Sequence, residues 1–203
     1  MATDLDTLSS LLGQTWWKAP VFYSHQFALR FEHGQGEFWL DRFVSAKQRA
    51  SSIAATALDG VAEIRLVIVR PHDGTALPAE DLARLKNDLA EYELPSIDTF
   101  KSQILPSPDT EFDSTWLGVT EIPRHLVDRA IWAAVAIDFG YLPATPGRLY
   151  IVNLANGLLI HPYDDRGMDV VAPSPEVLDD LYHRFSDWLL DYDRQRMDKM
   201  FSA

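Results

Sequence analysis

The segment from Arg148 to Ala172 constrains the fold more than any other part of the chain. Leu149–Leu154 and Gly157–Pro162 are apolar runs joined across the Asn156-Gly157 pair. Asn-Gly accepts the positive φ angles of the two-residue turns whose twist matches a hairpin, so the two runs are read as adjacent antiparallel strands. Met168–Ala172 is a third apolar run, reached through the charged stretch Tyr163-Asp164-Asp165-Arg166-Gly167-Met168-Asp169. Three strands tied by such short links form a meander, and a meander belongs to a mainly antiparallel or mixed sheet.

The rest of the pattern supplies helices and further strands. A short helix is expected near Leu5–Leu12, before Gly13, and a strand around Gln26–Glu32. Glu37–Leu58 reads as a helix: Trp39, Leu40, Phe43, Ala46, Ala50, Ile53, Ala54 and Ala57 recur at three- and four-residue spacings, and Gly60 supplies a stop. Ala62–Arg70 is rich in β-branched residues and reads as a strand closed by Pro71. Pro78 opens an amphipathic helix carrying Leu82, Leu85, Leu89 and Tyr92. Residues 93–111 hold Pro95, Pro106 and Pro108 and read as a surface connection. Ser114–Ile122 is a further strand. The following helix, roughly Arg124–Phe139, is apolar nearly all round and so belongs deep in the fold. After Ser174 and Pro175 a helix is expected to run to about Phe201, buried along Leu178, Leu181, Phe185, Trp188 and Tyr192; at full length it would reach roughly 40 Å. Strands and helices mix without a repeating βαβ unit. The expectation is therefore one α+β domain over residues 1–203, a meander and several helices including a long C-terminal one.

The charged stretch admits two readings. Structurally, Asp-Asp-Arg-Gly suits a tight turn, because Asp bonds back to the backbone and Gly tolerates unusual φ. Arg166 would hold a neighbouring carboxylate. A second group, Asp191-Tyr192-Asp193-Arg194, would meet the turn if the last helix crosses the meander, giving an acid–arginine network of Arg166, Asp191, Asp193 and Arg194. Functionally, Asp164, Asp165 and Asp169 would line a binding surface, with Asp169 in the same strand phase as Asp165. Two adjacent carboxylates could share a proton, and three could hold a hard cation. Neither arrangement matches a specific motif, and no catalytic residue, cofactor or metal is assigned.

Other chemistry is thin. The chain contains no cysteine, which excludes disulfides, thiol nucleophiles and cysteine zinc sites. Its six histidines show no metal-ligand spacing, and the chain lacks G-x-S-x-G, Walker A and G-x-G-x-x-G strings. Thirty acids against 18 Lys and Arg give a formal charge of -12. Such a balance disfavours nucleic acid and anionic membranes as partners and favours a basic protein. Trp16-Trp17 reads as core. The N-terminus has no basic, apolar leader pattern, so a cytoplasmic location is expected.

Four elements resemble the bacterial family known as domain of unknown function 3885: Leu29-Arg30-Phe31-Glu32, Arg49-Ala50, Tyr163–Asp169 and Asp187-Trp188-Leu189-Leu190-Asp191-Tyr192-Asp193-Arg194. The resemblance implies a small stand-alone bacterial protein and no established activity. An acidic, cysteine-free chain without a catalytic string fits a non-catalytic module, an immunity protein that neutralises a cognate toxin in the cytoplasm. The alternative is a small enzyme or ligand-binding domain with a carboxylate/arginine pocket at the Asp164–Asp169 turn. The oligomeric state is left open.

Overall fold

The computed structural model describes residues 3–106, 112–139 and 145–201. Its centre is the meander: β5 (Arg148–Asn153), β6 (Leu158–Pro162) and β7 (Gly167–Ala172) pair antiparallel in sequence order. The turn between β5 and β6 is closed by Gly157 at φ +71°, with Asn156 accepting from the Leu158 N–H at 3.0 Å. β1 (Phe27–Glu32) adds to the outer edge of β7, and β2 (Ile64–His72) pairs with β5. β4 (Ser114–Ile122) then pairs with β2, and β3 (Lys101–Pro106) forms the far edge. The seven-stranded sheet runs β1-β7-β6-β5-β2-β4-β3, antiparallel throughout, and the fold is α+β.

Two departures in the strands have local causes. β2 continues through Pro71 to His72 because β5 ends opposite Val69. Past that point β2 has a neighbour on one side only, so the missing proline N–H breaks no ladder. The proline-bearing stretch after Glu93 is not wholly a connection: it contains a short 3-10 turn, Ile97–Thr99, and then β3. As an edge strand β3 is largely exposed and so carries no apolar alternation in its sequence. Residues 107–111 of that stretch lie outside the described residues.

The helices are α1 (Asp4–Leu12), α2 (Val21–Ser24), α3 (Trp39–Ala57), α4 (Ala79–Glu91), α5 (Val127–Val135), α6 (Asp179–Arg184) and α7 (Arg194–Phe201). Thr3 and Asp6 form a reciprocal capping box that starts α1. α3 and α5 pack on each other, α3 reaching β6 and β7, and α5 reaching β5 and β6. The alanines of α3 make this close: Ala46, Ala50 and Ala54 are fully buried with Ile53. Trp16 and Trp17 are both buried, as expected of core residues, and the Trp17 carbonyl accepts from Tyr150 Oη at 2.6 Å.

The C-terminal helical stretch is interrupted. After α6 and a 3-10 turn at Ser186–Trp188, Leu189 and Leu190 adopt extended angles. There Leu189 bridges Phe31, and the Leu190 N–H donates to the Arg30 carbonyl at 2.9 Å. The edge of β1 offers unpaired backbone groups, and satisfying them outweighs another turn of helix. The expected apolar stripe breaks at this point: Leu178, Leu181 and Phe185 are buried, whereas Tyr192 is 87% exposed.

Candidate functional site

A single cross-strand row organises the polar side chains at this end of the sheet. The register places Arg30 of β1 opposite Asp169 of β7, and Asp169 opposite His161 of β6. The His161 ring stacks on Tyr150 of β5 with centroids 4.5 Å apart. Side chains facing one another across a ladder lie on the same face, so four residues distant in sequence form one polar row. Residues 16–25 lie over this face, as the Trp17 contact to Tyr150 and α2's contacts to β1 and β7 show.

Arg30 is the hub of the row. Its Nε and Nη2 donate to the two oxygens of Asp169 at 2.7 and 2.9 Å, a bidentate pair. The Phe22 N–H also donates to Asp169, at 3.2 Å. Asp193, brought in by the extended Leu189-Leu190 step, sits 3.6 Å from Arg30 Nη1 and accepts from Tyr23 Oη at 3.1 Å. The guanidinium lies 4.7 Å from the ring centres of both Phe22 and Tyr23. Burial opposes the charge on Arg30, but the hydrogen bonds and charge of Asp169 outweigh it and raise its pKa. Burial in turn pushes the Asp169 carboxyl up, against the hydrogen bonds and charge of Arg30 that favour its ionised form, and both Asp169 oxygens are already occupied.

The turn before β7 is held by two more arginines. Asp164 accepts from the Arg166 backbone N–H at 2.7 Å and from its Nε at 2.9 Å, and Arg166 Nη2 reaches the same carboxylate. Asp165 accepts from Nε of Arg42, on α3, at 2.9 Å. The Arg166 carbonyl accepts from the His33 N–H at 2.9 Å, and the Tyr163 N–H donates to the Gly167 carbonyl. Gly167 is needed for contact, since its φ is not in the left-handed region. A Cβ at this position would overlap the Tyr163 hydroxyl and the Phe31 carbonyl. Gly34 serves likewise: a Cβ there would come within 2.6 Å of the Asp165 carbonyl oxygen.

Between these arginines lies an open cavity of about 580 Å³, walled by Arg30, Arg42, Arg166, Tyr163, His161 and Asp169 among others. Burial, with Arg148 and Arg30 nearby, pulls the His161 pKa down to about 3, so the ring is neutral. Burial pushes the Tyr163 hydroxyl well above its ordinary value. Neutral donors and paired arginines favour binding over proton transfer here.

Outside the cavity an aromatic face is exposed. The rings of Phe38 and Trp39 contact each other at 5.8 Å, and Trp39 contacts Phe139 at 5.9 Å. Phe43 joins Phe139 at 5.1 Å and Trp132 at 5.8 Å. Phe38 is 56% exposed, Trp39 48% and Ile137 50%. Leu40 and Val44 are exposed on the same end of α3. Exposed Glu37, Asp41 and Asp138 are interspersed among them.

The family model described as domain of unknown function (DUF3885) matches residues 6–193. The chain belongs to the DUF3885 family. No curated protein and no solved structure matches it. All four elements that carried the resemblance in sequence fall at structural joints of this DUF3885 protein. Arg30 binds Asp169, Arg49 donates to the Glu32 carbonyl at 3.0 Å, the Tyr163–Asp169 turn is locked by arginines, and the last string delivers Leu189 and Asp193 to β1.

The sequence-derived residues are distributed unevenly. Asp169 lines the cavity, whereas Asp164 and Asp165 do not. All three are buried and held by Arg30, Arg166 and Arg42, so none presents an open carboxylate surface. Asp193 joins the network at Arg30. Arg194 does not: it binds Asp198 at 2.7 Å and the Ser186 carbonyl at 2.8 Å. Asp191 is exposed. The arginine uniting the turn strand with the C-terminal segment is therefore Arg30, in place of Arg166 or Arg194. Carboxylate oxygens of Asp138, Asp164 and Asp165 lie within 4.8 Å of one another, but the two buried members already neutralise arginines. Arg42, His161 and the aromatic face had no motif to mark them. Arg30 had two signals, a cation within an apolar strand and its place in the Leu29-Arg30-Phe31-Glu32 element.

Proposed function

We propose that this DUF3885 protein is a non-catalytic binding module, an immunity protein that neutralises a toxin acting in the cytoplasm. The observation that carries the reading is the exposed aromatic face of Phe38, Trp39, Trp132 and Phe139. Large aromatic side chains are costly to leave in water at about 25 cal/mol per Å². They also dominate the energetic centres of protein interfaces. The surrounding charge selects the occupant. Glu37, Asp41 and Asp138 among the rings, on a chain of formal charge -12, would steer in a basic protein domain and repel a second copy or an anionic lipid surface. The locked state of Asp164, Asp165 and Asp169 also supports a non-catalytic role, since groups engaged in ion pairs make poor general bases. No helix among the described residues is long and apolar enough to cross a membrane.

Co-expression with the toxin domain that co-purifies with the tagged chain tests the reading, and the recovery of no such partner counts against it. The wild type should restore growth, and Glu37→Lys and Asp41→Lys combined should abolish rescue while the protein stays folded. Rescue unaffected by that double reversal, or a turnover reaction by the isolated protein, would overturn it.

A further inference from the structure

The cavity at the turn has donors that the fold itself does not use. Arg42 donates to Asp165 through Nε, and among the described residues its two terminal nitrogens take no partner. Arg166 holds Asp164 through Nε and Nη2, and among the described residues its Nη1 takes no partner. Both arginines line the cavity, while the carboxylates that fix them do not. A guanidinium anchored along one edge is pre-organised along the other, so less side-chain entropy is lost when a ligand binds.

A second, independent observation comes from the inner wall. His161 is 3% exposed, lines the cavity, and its Nδ1 has no hydrogen-bond partner among the described residues. A buried polar atom without a partner is costly, and a ligand for which the inner wall gives way slightly would recover part of that cost. His161, Tyr163 and Ala19 also line a neighbouring cavity of about 220 Å³, so the inner end of the site continues into further space. The main cavity falls within the roughly 300–1,000 Å³ of small-molecule sites.

We propose that this cavity binds a small organic anion through one carboxylate or phosphate group. Arg42 and Arg166 hold that group, and the His161 ring closes the far end. Ala19, Pro20 and Leu190 give apolar wall for the ligand's body. Glu32, also in the wall, disfavours densely charged polyanions and so favours one anionic group on a larger neutral frame. Asp169 adds no repulsion of its own, because Arg30 already neutralises it.

The site adjoins the aromatic face at Asp138, whose carboxylate lies within 4.8 Å of those of Asp164 and Asp165. Each is therefore tested with variants that leave Asp138 in place, and the two fail separately. Calorimetric titration of the full chain with inorganic phosphate, benzoate and adenosine monophosphate tests it. At least one organic probe should bind with a dissociation constant of about 10–100 µM. Benzoate binding would assign the carboxylate form and nucleotide binding the phosphate form. Arg42→Gln or Arg166→Gln should weaken that probe at least about tenfold, a loss of about 1.4 kcal/mol. Arg129→Gln, elsewhere on the surface, and Trp39→Ala should leave it unchanged. The ¹⁵N resonances of the His161 ring should shift on saturation. Arg166 is largely exposed, so its variant keeps the test open should Arg42→Gln fail to fold. The proposal is overturned if no probe binds the folded wild type below about 10 mM. Binding that persists undiminished in both arginine variants overturns it too.

Discussion

Acidification should destabilise the protein through two buried histidines, and the size of the effect follows from their surroundings. Among the described residues, His161 is enclosed against Tyr150 with no partner for Nδ1, and His33 is fully buried with no partner for either ring nitrogen. Burial holds each pKa near 3, helped by Arg148 and Arg30 at His161 and by Arg49 at His33. In the unfolded chain each histidine titrates near its ordinary value of about 6.5. A depressed folded value means that the fold favours the neutral ring. The associated stability is complete above about pH 6.5 and drains away as the pH falls toward 3. At about 1.4 kcal/mol per pH unit, lowering the pH from 7 to 5 costs about 2 kcal/mol for each ring. His161→Phe isolates one of them, because phenylalanine keeps an aromatic ring on Tyr150 and removes the ionisable nitrogens. Urea denaturation of both proteins at pH 7 and pH 5 is the assay. Whatever its stability at pH 7, the variant should gain about 2 kcal/mol on the wild type at pH 5. A wild-type-to-variant gap that is the same at both pH values would refute the claim that His161 is held neutral by burial.

The remaining predictions concern the joints of the fold. Gly167→Ala should cost about 2 kcal/mol in chemical denaturation, since its methyl group must displace Tyr163 or the edge of β1; a neutral result would mean that the approach is not tight. Asp169→Asn should cost about 3 kcal/mol by leaving Arg30 buried without its charged partner. Asp191→Asn, at an exposed position, should stay within about 0.5 kcal/mol, and similar losses for the two would contradict the central place of Arg30. Tyr23→Phe should cost about 1 kcal/mol through the lost bond to Asp193, and much less in an Asp193→Asn background, as a double-mutant cycle would show.

The parts of this fold legible in sequence are those set by local chemistry. Asn156-Gly157 announced its hairpin, and the β-branched run around Val67 announced β2, because turn geometry and strand propensity act over a few residues. The helix from Trp39 was legible in its periodicity, but periodicity cannot say where burial ends. Its stripe is buried at Ala46, Ala50, Ile53 and Ala54, whereas Trp39 and Leu40 face solvent. The broken C-terminal run shows the same limit, for nothing local to Leu189-Leu190 records that the edge of β1 waits beside it. The Asp-Asp-Arg-Gly turn was legible as a turn, and its acids as members of a charge network. Their partners were not: Arg42 lies 123 positions from Asp165, and Arg30 lies 139 from Asp169. Sheet register brings Arg30 to Asp169, and the packing of α3 beside the turn brings Arg42 to Asp165. The unpartnered nitrogen of His161 is likewise a property of packing that no spacing encodes.

The measurement closest to the central claim is calorimetric titration of the proposed partner, a basic toxin domain co-purified with the tagged chain from its own cells, with the wild type and with Phe38→Ser, Trp39→Ser. The two side chains are already about half in water, so the double variant should keep its stability within about 1 kcal/mol. The account predicts nanomolar binding by the wild type and a loss of at least about 100-fold in the variant. Equal affinities for the two proteins would contradict it.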